Sequence, residues 1–124
     1  MNAQLLAKSA YTAAAAPTRT ERGTEYEIFS RITRKLGVAA RGECDFQSLV
    51  SVLHDNRMLW NALAADVAIE TNALPAALRA RIFYLSEFTT HHTRRVLAGE
   101  ASVDALVEIN TAVMRGLRQE GAAV

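Results

Sequence analysis

Apolar residues recur along most of this chain at spacings of three and four, the period of a helix with one buried face. The clearest run begins after Asp45. Phe46, Leu53, Trp60 and Val67 fall seven apart, and Leu49 and Leu63 occupy intermediate positions. This stripe predicts a helix from Phe46 to about Ala68, with the Asp45 carboxylate as its N-cap. Upstream, Tyr26, Phe29, Ile32 and Leu36 predict a helix ending near Ala40, with Gly42 as its stop. The string T-E-Y-E at 24–27 predicts a capping box, in which Thr24 caps the backbone and Glu27 reaches back.

Downstream, Pro75 suits a first turn, and Leu78, Ile82, Leu85 and Val96 form one stripe of a helix that Gly99 ends. Phe83 and Leu97 fall on a second face of that helix, and Tyr84 and Phe88 on a third. A helix apolar on several sides either lies centrally or keeps a face for a partner. Val103, Leu106, Val113 and Leu117 define the last helix, with Ser102 as cap and Asp104 at its positive end. Gly121 and the small residues after it are expected to fray. At the other terminus, Leu5, Leu6 and Tyr11 predict a short helix over residues 2–15, and "APTRTERG" around Pro17 predicts an extended link. These elements predict an all-α fold: an up-and-down bundle of four main helices plus a short N-terminal helix, one domain over residues 1–124.

Composition agrees with that picture and narrows the function. Half of the residues are hydrophobic, enough for a real core, and the two Pro and six Gly leave little scope for hairpins. A formal net charge of +1 gives no bulk drive toward nucleic acid or a membrane surface. The charge is nevertheless blocked: residues 17–41 carry net +3, 43–72 net −4, 75–98 net +3 and 99–124 net −2. Alternating signs suit helices that pack side by side. Cys44 is a lone cysteine, so no internal disulfide and no cysteine zinc motif is expected. The start "MNAQLLAKSAY" lacks a secretory pattern and "AYTAAAA" is too short to span a bilayer, so a cytoplasmic protein is expected.

Candidate chemistry is sparse. His54, Asp55, Asn56 and Arg57 stand together, but neighbours on a helix do not face one another and no nucleophile motif accompanies them. His91 and His92 are adjacent rather than three or four apart, so Glu87 and His54 do not complete an evident metal set. No metal, cofactor or catalytic group is expected. Arg19, Arg22, Arg31, Arg34, Lys35 and Arg41 make the N-terminal half basic, but Glu21, Glu25 and Glu27 dilute it, so direct DNA or RNA binding is not expected. Asn56 and Asn110 each interrupt an apolar stripe. Either they pair across the bundle and fix helix register, or they meet water at its edge.

Four strings, "RTERGTEYEIFSRITRKL" (19–36), "LHDNRMLWNALAADV" (53–67), "NALPAALRARIFYLSEFT" (72–89) and "VLAGEASVDALVEINTAVMRGL" (96–117), closely resemble the flagellar FlaF family in the same order. The resemblance implies a small cytoplasmic helical protein, required for flagellin production and export, that acts with flagellin as an export chaperone beside FlbT, the regulator of flagellin messenger RNA translation. The alternative it leaves open is a regulator working through FlbT or the messenger RNA without stable flagellin binding. Arg22, Glu25, Tyr26, Asp55, Arg57 and Trp60 fall in the family strings, with Tyr26 and Trp60 expected in the core. The expected partner contacts are Phe83, Tyr84, Phe88 and Leu97 on the helix with several apolar faces, joined by Arg19, Arg22, Glu25, Asp55 and Arg57. A homodimer remains open on these patterns.

Overall fold

A computed structural model describes residues 21–123, and the side chains of 23–116. Four helices account for them: α1 (Glu21–Ala40), α2 (Phe46–Val67), α3 (Ala76–Leu97) and α4 (Asp104–Ala123). Chain neighbours pack together, and α1 also packs extensively on α4, which closes the bundle. The α3–α4 seam is the least extensive. Of the two diagonals, α2–α4 is bridged by side chains that hydrogen-bond across the centre. The chain therefore forms an all-α bundle. The expected N-terminal helix over 2–15, and Arg19, lie outside the described residues.

The ends of the helices follow from local chemistry. Gly42 and Gly99 adopt φ of +70° and +76°, a region in which a Cβ is strained. Each closes a doubly bonded terminus. Glu43 N–H reaches Val38 O at 3.1 Å and Gly42 N–H reaches Ala39 O at 3.0 Å; Glu100 N–H reaches Arg95 O at 2.8 Å and Gly99 N–H reaches Val96 O at 3.0 Å. At the start of α2, Asp45 Oδ1 accepts from Ser48 N–H at 2.8 Å. Hydrogen bonds from Ser48 hold the Asp45 carboxyl below its ordinary range. Ser102 Oγ accepts from Asp104 N–H at 3.0 Å ahead of α4. Between α2 and α3, Asn72 Nδ2 donates to Asp66 Oδ2 and Asn72 Oδ1 accepts from Leu74 N–H, which seats Leu74 in the core.

Several expectations give way here. The chain is already helical at Glu21, so Thr24 is an interior, buried residue of α1 and not its cap. Glu21 and Arg22 are good helix formers, and nothing in E-R-G compels a break. Pro75 stands just before α3, and α4 continues to Ala123 past Gly121. Tyr26 is only half-buried. Phe46 is 64% exposed. A strict seven-residue repeat drifts by about 20° per repeat in a straight helix, so Phe46 lies about 80° from the centre of the buried face, which is at Asn56.

Phe29, Leu36, Leu53, Trp60, Ile82 and Leu106 form the fully buried centre of the core. Phe29 meets Trp60 edge to face with centroids 5.7 Å apart. Threaded through this apolar packing is a polar chain. Trp60 Nε1–H donates to Asn110 Oδ1 at 2.8 Å; Asn110 Nδ2 donates to Asn56 Oδ1 at 2.8 Å and to Thr33 Oγ1 at 3.2 Å. Thus α1, α2 and α4 are joined at one level by side chains that are all buried. The buried face of α3 differs from the others: Ser86, Thr89, His92 and Thr93 outnumber Ile82 and Val96. Thr93 Oγ1 bonds back to Thr89 O at 2.7 Å, while Thr89 Oγ1 and Asn56 Nδ2 are buried without a protein partner.

Candidate interaction surface

The largest exposed apolar groups on one element belong to α3: Phe83 (49%), Tyr84 (67%), Phe88 and Leu97. Two of the helix's neighbours explain why these four cannot all be covered. On one flank Ser86 Oγ reaches Trp60 O of α2 at 3.5 Å, at the long limit of a hydrogen bond. On the other, His92 Nε2–H donates to the carbonyl of Ser102, before α4, at 2.7 Å. A carbonyl only accepts, so this contact fixes the protonated ring nitrogen as Nε2. The buried face is the arc between these anchors. Phe83 and Leu97 fall past the α2 flank and Tyr84 and Phe88 past the α4 flank; the two pairs are separated by about 100° at the neighbours Phe83 and Tyr84 and by about 140–180° elsewhere. Phe88 stacks on His92 with centroids 5.4 Å apart and planes 16° from parallel. At the other end, Leu78 is the nearest side chain to Gly116 of α4.

The polar candidates are dispersed. Glu25 is half-buried on α1, and Arg22 stands in the first turn of α1. Asp55 is exposed on α2 and Arg57 half-buried, and two residues of helix separate their directions by about 200°, so they do not share a face. Arg79, near the start of α3, is half-buried with Nε out of contact with any acceptor. Among the described residues no three His, Cys, Asp or Glu side chains gather as a metal site, and no helix is long and apolar enough to cross a membrane. Sequence reading weighed His91 only as a metal ligand and named neither Arg81 nor Arg95, although their spacing was visible: Arg81, His91 and Arg95 lie at helical intervals from Tyr84 and Phe88. It also placed Phe46 in the core, whereas Phe46 and Val50 are exposed on α2.

Buried amides at the centre, closed glycine termini and one helix with exposed apolar flanks define a small helical bundle. Residues 7–117 match the family model described as flagellar protein FlaF, nearly the whole chain. The chain belongs to the FlaF family, and is a flagellar protein. No significant match was found among curated proteins or solved structures.

Proposed function

We propose that the chain binds flagellin in the cytoplasm as an export chaperone, is not an enzyme, and by holding flagellin also supports its synthesis. The observation that carries this reading is the apolar surface left on α3 by Phe83, Tyr84, Phe88 and Leu97 in a member of a flagellar family. A chaperone covers helix faces of its client that would otherwise associate, and it does so through apolar side chains presented along a helix. Release at the secretion gate requires moderate affinity, which suits a shallow helix surface better than a deep pocket. Arg19, Arg22, Glu25, Asp55 and Arg57 are retained as candidate contacts toward flagellin or FlbT.

The test is co-purification of the tagged chain with flagellin from cells that lack FlbT. Flagellin should be recovered in stoichiometric amount. Recovery of none would overturn the chaperone reading and leave action through FlbT or the messenger RNA.

A further inference from the structure

Resting on that reading, we infer that one seam of α3, Arg81–Tyr84–Phe88–His91–Arg95, is the client-binding strip, and that its occupant is an amphipathic flagellin helix with an apolar centre and a carboxylate toward each end. The five residues stand at intervals of three and four, and all are exposed. At 100° per residue they fall within an arc of about 80°. The seam is about 21 Å long from Arg81 to Arg95, the length of a four-turn helix face. Its middle is aromatic and its ends are cationic.

Three features of the structure select this occupant. Among the described residues no carboxylate stands within ion-pair distance of Arg81 or Arg95. Arg95 lies in the last turn of α3, where the helix dipole favours a cation, but Arg81 gains nothing of that kind. Charge complementarity therefore asks for acidic groups on the partner. A second copy of the chain is disfavoured by the same charges. Antiparallel pairing of two seams about Phe88 sets Arg81 of one against Arg95 of the other, and parallel pairing sets each Arg against itself. Finally, the centre of the seam is braced locally from beneath. Phe88 rests on His92, and His92 is tied to the Ser102 carbonyl, so the central aromatic is held in place before a partner arrives. Phe83 and Leu97, on the opposite flank, are outside the strip.

The experiment is titration of purified monomeric flagellin into the full chain by calorimetry, with circular dichroism and thermal melts to establish folding of each variant. Tyr84→Ala should weaken binding by at least about tenfold, as expected for an aromatic anchor. Arg81→Glu with Arg95→Glu should weaken it similarly at low salt and flatten its salt dependence. Phe83→Ala and Leu97→Ala should change it by less than about twofold. Phe88→Ser is a further variant, but its stack on His92 makes Tyr84→Ala the cleaner one. Binding by the wild type that survives the Tyr84 and double-Arg changes overturns the seam and leaves the chaperone reading intact. No binding by the wild type overturns both. Two further outcomes also overturn the seam: dimer dissociation, measured by light scattering, caused by the seam variants with flagellin affinity unchanged, or loss of a gel shift with flagellin leader RNA while flagellin affinity is unchanged.

Discussion

The indole N–H of Trp60 is a buried donor, and Asn110 Oδ1 satisfies it. This orients the Asn110 amide, and its Nδ2 then supplies Asn56 and Thr33. The two asparagines are unequal as a result. Asn110 makes three buried bonds, while Asn56 offers one acceptor and keeps a buried Nδ2 without a partner. Asn110→Ala should cost about 2–4 kcal/mol, from an orphaned indole N–H and a cavity together. Asn56→Leu should change stability by no more than about 1 kcal/mol, since it removes an unsatisfied donor along with one acceptor. Urea unfolding of both variants measures the difference. Equal losses would mean that the two amides contribute alike. The bonds joining three helices at one level are also what a register device requires. An Asn56→Leu protein that is more stable and unchanged in oligomeric state and binding would remove that role.

Among the elements, α2 shows how capping and patterning combine. Its N-terminus depends on Asp45, whose carboxyl Ser48 holds below the ordinary value of 3.8. A depressed folded-state pKa contributes stability that is present above the unfolded value and is lost as pH falls through the folded one. Asp45→Asn keeps an acceptor for the cap and removes the titration. The wild-type advantage over Asp45→Asn in melting temperature should therefore be present at neutral pH, shrink once pH drops below about 4, and vanish at lower pH still. Thermal melts across that range check it; a pH-independent difference would show that the carboxyl charge plays no part. The alternating charge of the sequence blocks also finds its place at this scale. In the closed order α1–α2–α3–α4, each helix neighbours blocks of opposite sign.

For the molecule as a whole, the loosest member is the one that carries the proposed surface. α2 buries Val52, Leu53, Leu59, Trp60, Leu63 and Val67, whereas α3 buries only Ile82 and Val96 as aliphatics. Hydroxyls and an imidazole fill the rest of the inner face of α3, and its seam with α4 is slight. Local opening has a lower free energy where little apolar area is buried. Native-state hydrogen exchange should find amides of residues 89–96 opening before those of 52–63. Equal protection would show that the polar face of α3 is as firmly held as the aliphatic face of α2. Binding flagellin across the seam should raise protection in α3 first.

Sequence alone determined the four helices, the stops at Gly42 and Gly99, and the order of the helices in the bundle. These rest on period, caps and glycine, which act over a few residues: Asp45, Gly42 and Gly99 were legible because φ and a local hydrogen bond decide them. The apolar flanks of α3 were legible for the same reason, as positions on a wheel. Tertiary structure decided what each position meets. Periodicity cannot distinguish Asn56 at the centre of a stripe from Asn56 at its edge, since that depends on Trp60 and Asn110 arriving from 4 and 54 residues away. Nor can it reveal that Phe46 falls outside the core, because drift along a straight helix matters only against neighbours of finite length. Periodicity also leaves the buried polar face of α3 unmarked: Ser86 bonds to a carbonyl of α2, Thr93 to a carbonyl one turn back, and Thr89 to nothing in the protein. The cationic ends of the α3 seam acquired meaning only once its aromatic centre was seen supported by His92 and left open to solvent.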